Sequence, residues 1–82
     1  MTWTKATPAD EGWYWIKYQN KHKRMLKEPC VVMHFKDGGV LVQTAGNTTF
    51  MEGPNHGGPG LKYGGVLDKS IRFGPKIDVP PG

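Results

Sequence analysis

The chain has 82 residues, a formal net charge of +4, 37% hydrophobic residues and one cysteine. A chain of this length forms one domain with one small core, and it is too short to build a deep enzyme-like cleft as well. The single cysteine excludes an intramolecular disulfide and favours a cytoplasmic location, and no apolar run is long enough for a membrane span.

The first predicted strand covers residues 13–19, Trp-Tyr-Trp-Ile-Lys-Tyr-Gln. In an extended strand one face carries Trp13, Trp15 and Lys17, and the other carries two tyrosines and an isoleucine. Both faces are rich in aromatic side chains, so a monomer can leave at most one of them to solvent. The second face is therefore either offered to a partner or covered by other parts of the chain.

A basic segment follows this strand. Residues 20–29 are predicted to form a solvated loop, because eight residues before a proline are too few for a stable helix. Five of the eleven cations lie here or just before: Lys17, Lys21, Lys23, Arg24 and Lys27. The other six face seven acids, so all the excess positive charge belongs to this part of the chain.

Short runs rich in valine, isoleucine, threonine and aromatic residues predict the remaining strands. Residues 30–36 and 40–44 are joined by Asp37-Gly38-Gly39, which supplies the positive φ of a tight hairpin turn. Further runs cover residues 48–51 and 66–73. The spacing predicts one all-β domain over residues 1–82. It would be a small antiparallel sheet of about five strands, either strongly bent or an SH3-like partly closed barrel.

Two segments rich in glycine or proline fall outside these strands. Residues 52–65 hold half of the twelve glycines and are predicted to be a long loop, and residues 74–82 a Pro-rich tail. The glycine pattern fits neither a P-loop nor a dinucleotide-binding turn. Its backbone amides, with His56 and Lys62 nearby, could still bind a nucleotide or another small anion.

No pattern in the sequence predicts a metal, a cofactor or a catalytic group. Cys30 and His34 are four residues apart on a predicted strand, and that spacing places them about 13 Å from each other. Cys30 heads an apolar run, where a cysteine is usually buried and inert. Asp10 and Glu11 flank the first strand and the other acids are isolated, so no pair suits acid–base chemistry and the expected protein is not an enzyme.

The two ends of the chain carry a resemblance. Residues 8–17 have the layout Pro-x-x-Glu-Gly-Trp-Tyr-Trp-Ile-Lys, and residues 73–80 read Phe-Gly-Pro-Lys-Ile-Asp-Val-Pro. This combination resembles short uncharacterised accessory proteins of tailed bacteriophages and prophages. The resemblance implies a product made in the bacterial host cytoplasm, and small phage proteins of this class frequently bind and block a host protein. It supplies no functional residues.

The sequence therefore predicts a non-enzymatic binding protein that occludes a host macromolecule such as a defence-system component. The expected partner is a host protein with an acidic surface, and the chain would be a monomer or a homodimer without membrane contact. Nucleic acid is the first alternative partner, and capture of a nucleotide or anion is the second. The candidate binding residues are Trp13, Trp15, Lys17, Lys21, Lys23, Arg24, Lys27, His56, Lys62 and Tyr63.

Overall fold

The computed structural model describes residues 2–78. Its seven strands are β1 (Gly12–Gln19), β2 (Met25–His34), β3 (Val40–Thr44), β4 (Thr49–Gly53), β5 (Gly58–Tyr63), β6 (Val66–Leu67) and β7 (Arg72–Ile77). They form one antiparallel sheet with the order β6-β5-β4-β3-β2-β1-β7. The all-β prediction is confirmed, although the sheet has seven strands where about five were expected. Residues 2–78 contain no helix that is long and apolar enough to cross a membrane.

The core lies on one face of this sheet. Side chains alternate along each strand, and the buried ones share a single face, as in β1, where Tyr14, Ile16 and Tyr18 are buried. The other strands contribute Cys30, Val32, Val40, Val42, Phe50, Leu61 and Phe73, and Ile71 joins them from the position just before β7. We call this the inner face and the opposite side the outer face.

The sheet buries its inner face by curling on itself, because residues 2–78 form no second layer over it. The rings of Tyr18 in β1 and Phe50 in β4 have centroids 5.2 Å apart. Strands three positions apart in a flat sheet would lie about 14 Å from each other. The five-residue step from Leu67 to Arg72, at most about 18 Å long, also joins the two edge strands. Those edges do not pair, so the sheet is open and the SH3-like barrel is not confirmed.

The predicted loop over residues 20–29 was wrong in its second half, because Met25–Pro29 is the start of β2. Pro29 is tolerated inside the strand for a geometric reason. Its carbonyl accepts a hydrogen bond from the Ala45 amide at 2.8 Å, so its nitrogen faces the same side, beyond the last residue of β3. The missing N–H therefore removes no ladder hydrogen bond to β1.

The predicted loop over residues 52–65 was also wrong in part, because it contains β5, and the run over 66–73 divides into β6 and the start of β7. Glycines at positive φ, such as Gly58 and Gly60, let this irregular chain pair with β4. In the predicted tail, residues 74–77 belong to β7, and residues 79–82 lie outside the described residues.

The segment before β1 closes one end of the curled sheet. Thr4 pairs with Phe73 through two backbone hydrogen bonds of 2.9 and 2.8 Å. The Thr7 hydroxyl then donates to Glu52 at 3.0 Å, and the Tyr14 hydroxyl donates to the Asp10 carbonyl at 2.9 Å. The chain thus crosses from the β7 edge to β4 and back to β1, leaving the opposite end of the core uncovered by this segment.

Candidate functional site

Three tryptophans lie together on the outer face. Trp13 and Trp15 are half-buried and sit on β1 as the alternation predicted. Trp3 joins them because Gly74 has no side chain: a Cβ there would lie 3.0 Å from Cζ3 of Trp3 and 3.1 Å from Cβ of Trp15. Strand β5 turns toward the inner face instead, where Leu61 is buried and the Tyr63 ring lies 6.0 Å from that of Phe50. The result is an aromatic surface at the β1–β7 edge.

A row of cations crosses three adjacent strands beside these rings. The register places Lys17 of β1 opposite Lys27 of β2 on one side and opposite Arg72 of β7 on the other. Directly opposed side chains on one face have Cβ atoms about 5 Å apart, and like charges at that distance repel. The Lys17 Nζ lies 4.7 Å from the centroid of the Trp3 ring, which ties the row to the aromatic group.

The acidic residues within the strands lie on the inner face of the sheet. Only Glu28 and Glu52 belong to described strands, and they pair with the inner-face residues Ile16 and Val40. Glu28 accepts hydrogen bonds from the Gly46 amide at 2.8 Å and the Tyr18 hydroxyl at 3.3 Å. No acid of strands β1–β7 therefore stands on the outer face, so no strand carboxylate balances the cation row. Arg72 donates instead to the carbonyl oxygens of Lys69 at 2.9 Å and Ile71 at 2.8 Å.

The β1–β2 turn continues this positive surface. Lys21, Lys23 and Arg24 are exposed at its tip, directly beyond the Gln19–Met25 pair that ends the β1–β2 ladder. The Asn20 side-chain oxygen accepts from the amides of His22 at 2.9 Å and Arg24 at 3.0 Å, which fixes the turn. Lys23 has a φ of 61°, a conformation that usually favours glycine or asparagine. The basic loop that was predicted over residues 20–29 is therefore limited to the turn over residues 20–24, and Lys27 lies on the outer face of β2.

The glycine-rich segment does not join the tryptophans. Lys62 uses its ammonium group locally, donating to the carbonyl oxygens of Gly58, Pro59 and Gly60 at 3.1, 3.2 and 2.8 Å. The carbonyl oxygens of residues 58–60 therefore point toward the ammonium group of Lys62. His56 and Lys62 line a shallow depression beside β4, and Tyr63 faces the other way, with its ring 6.0 Å from that of Phe50.

Cys30 is fully buried, and burial raises the pKa of its thiol to about 12. A thiol with this pKa stays protonated at neutral pH and does not act as a nucleophile. Within residues 2–78, no group of three histidine, cysteine or acidic side chains is arranged to hold a metal ion.

Two members of the surface, Trp3 and Arg72, were absent from the predicted set. The Ile71-Arg72-Phe73 alternation indicates that Arg72 faces away from the core, but only the β1–β7 register places it beside Lys17. Trp3 precedes the first strand, and no local pattern connects it to Gly74. The chain matches no family model, no curated protein and no solved structure.

Proposed function

We propose that this protein is a non-enzymatic binding module whose outer face docks an acidic protein surface. The observation that carries the proposal is the unbalanced cation row of Lys17, Lys27 and Arg72 beside three tryptophans. Opposed lysines cost stability in the free protein, and an acidic partner would offset that cost on binding. Tryptophan and arginine are also the side chains that most often anchor protein interfaces.

The resemblance of the chain ends to phage accessory proteins supplies the biological context of the proposal. In that context the protein acts in the bacterial cytoplasm and blocks a host macromolecule by covering its acidic surface. The tip lysines and Arg24 would guide the approach over a longer distance, since exposed charges change association rates more than affinity.

The sharpest test is Lys27→Glu, because it separates folding from binding. The new carboxylate stands opposite Lys17, so the like-charge pair becomes an attractive pair and the free energy of unfolding rises by about 0.2–1 kcal/mol. Binding to an acidic partner falls, because the outer face loses two units of positive charge. Lys36→Glu is the matched control, since Lys36 is exposed in the β2–β3 turn with the same charge change.

The measurement is affinity capture from nuclease-treated bacterial lysate, quantified by mass spectrometry and followed by titration of the captured protein. We expect a protein that the wild type and Lys36→Glu retain equally and that Lys27→Glu loses, although Lys27→Glu melts at a higher temperature. Equal retention by both variants would contradict the proposal, as would a captured surface without clustered acids.

Single-stranded nucleic acid is the second candidate, because tryptophan rings and cations on one face suit base stacking and phosphate contact. This alternative predicts retention of labelled oligonucleotides on filters at low salt. The affinity would fall steeply with salt, with a slope set by the number of phosphates contacted. Unlabelled host protein would not compete, and Lys27→Glu would reduce the slope by about 1.

A further inference from the structure

A cavity of about 550 Å³ opens at the end of the curled sheet that the N-terminal segment leaves uncovered. Its floor consists of the core rings of Tyr18 and Phe50 together with Leu26. The β5–β6 hairpin forms one wall, through Tyr63, Val66 and Leu67. The outer-face tryptophans and the cation row do not line it, so this cavity is separate from the docking surface proposed above.

The wall of the cavity is unusually apolar for an exposed hairpin. Tyr63 is 58% exposed, Val66 71% and Leu67 45%. They are three of the six large hydrophobic side chains that residues 2–78 leave strongly exposed. Single exposed hydrophobic residues are common, but three around one concavity with an aromatic floor indicate an apolar ligand surface.

Hydrogen bonds hold the floor of the cavity in place without a ligand, and they also hold the junction between the end of β1 and the segment after β6. The Tyr18 hydroxyl lies 3.2 Å from the Thr48 hydroxyl, which fixes the ring at the bottom. The Gln19 amide donates to the Ser70 hydroxyl at 2.9 Å and so ties the end of β1 to the segment that follows β6. The volume is within the range of about 300–1,000 Å³ that small-molecule sites occupy.

The rim of the cavity carries more positive than negative charge. Lys21, His22 and Lys69 line it, and Asp68 is the acid among the lining residues. Asp68 already accepts hydrogen bonds from the amide and hydroxyl of Ser70, which hold its carboxylate against the chain. A ligand entering this cavity therefore meets apolar rings below and two lysines above.

We propose that this cavity is a binding site for a small planar aromatic anion, meaning a ring system that bears a carboxylate or phosphate group. The ring would lie against the exposed apolar wall of Tyr63, Val66 and Leu67, above the buried rings of Tyr18 and Phe50. The anionic group would stay at the rim between Lys21 and Lys69. Aromatic carboxylates and nucleotides share this chemistry, and the two sources are distinguished by experiment.

The test is an amide NMR titration with three probes: 1-naphthoate, its neutral analogue 1-naphthalenemethanol, and adenosine monophosphate. We expect saturable shifts for 1-naphthoate at residues 18–22 and 63–70. Loss of the charge weakens binding of the neutral analogue by about tenfold. If adenosine monophosphate shifts the same amides, the ligand class extends to nucleotides. If it does not, the site is for aromatic carboxylates.

Two variant pairs check the two parts of the site. Val66→Ser/Leu67→Ser removes apolar wall and is expected to weaken 1-naphthoate by about tenfold or more. Its control, Met33→Ser/Phe35→Ser, removes two exposed hydrophobic residues elsewhere and leaves binding unchanged. Lys21→Gln/Lys69→Gln weakens 1-naphthoate and not the neutral analogue, while Lys5→Gln/Lys36→Gln changes neither. The proposal is overturned if millimolar 1-naphthoate gives no saturable shift, if the shifts fall on the outer face, or if controls and cavity variants behave alike.

Discussion

Cys30 shows how a single buried group makes stability depend on pH. Burial is the main reason why the pKa of its thiol rises from 9.0 to about 12, and the Glu28 carboxylate raises it further. A hydrogen bond with the backbone of Tyr14 acts in the opposite direction. The folded protein therefore keeps this thiol protonated at a pH where the unfolded chain already loses the proton.

We expect the contribution of Cys30 to be complete below pH 9 and to be lost as the pH rises toward 12. The unfolded state binds fewer protons in this interval, so the free energy of unfolding falls by up to about 1.4 kcal/mol per pH unit. Urea unfolding of the wild type and of Cys30→Ala, at several pH values from about 8 to 10.5, measures the effect. The variant is less stable throughout but loses less stability per pH unit above pH 9; parallel curves would show that the thiol does not ionise differently in the two states.

The sequence alone predicts which side chains share a face wherever a strand alternates between core and outer-face residues. Trp13, Trp15 and Lys17 share one face and Tyr14 shares the other with Ile16, as the two-residue period requires. The period does not reveal which face is the core. That choice depends on what packs over each face, and Trp3 packs beside Trp15 through Gly74, which is far from β1 in the sequence.

At the scale of elements, the β4–β5 hairpin depends on one lysine. Lys62 holds three carbonyls of an irregular, glycine-rich strand that has few side chains to stabilise it. Lys62→Met keeps the apolar stem and removes these charged hydrogen bonds, which are worth about 1.5–3 kcal/mol where they are shielded from water. We expect the half-exposed site to give about 1–2 kcal/mol of destabilisation in urea unfolding.

Lys36→Met serves as the control for this loss, because Lys36 is exposed in a turn and its ammonium has no comparable role. Equal stability of the two variants would show that the carbonyl contacts of Lys62 do not hold the hairpin.

Element boundaries were predictable only where the chain has conventional strand chemistry. The Asp37-Gly38-Gly39 turn and the strands beside it follow from local signals. The beginning of β2 did not, because charges and Pro29 imitate a loop, and pairing with β1 overrides that composition. β5 was missed for a similar reason: its glycines adopt positive φ inside a sheet, where they serve a bulge instead of a loop.

At the scale of the whole molecule, the last strand completes the core. Phe73 of β7 is 1% exposed and packs on the inner face, so Phe73→Ala is expected to cost about 3–5 kcal/mol. A domain of this size has only about 4–12 kcal/mol of stability in total, so the variant has a strongly lowered melting temperature. Phe35→Ala, at an exposed position in the β2–β3 turn, is expected to cost less than about 1 kcal/mol. Similar melting temperatures would mean that β7 is not part of the cooperative core.

The candidate site is formed by the folded sheet as a whole, so the sequence predicted individual residues of the site but not their arrangement. Lys17 and Lys27 were both recognisable as cations, but the register that opposes them, and that adds Arg72, is a property of the folded sheet. The cavity likewise exists only because curling brings the β5–β6 hairpin over Tyr18 and Leu26. Local patterns carry no information on contacts between such distant segments.

The strand order has a consequence for biosynthesis. Among the strands of residues 2–78, β1 is the first to leave the ribosome, yet one of its two neighbours, β7, is the last. Until Ile77 emerges, β1 has one edge without a partner and the core lacks Phe73. A product that stops before β7 would therefore display the long edge of β1, a feature that promotes aggregation and degradation, whereas β7 covers that edge and leaves only the shorter strands β6 and β7 at the ends of the sheet. Pairing of β1 with β7 thus makes the protection of the first described strand depend on the synthesis of the last.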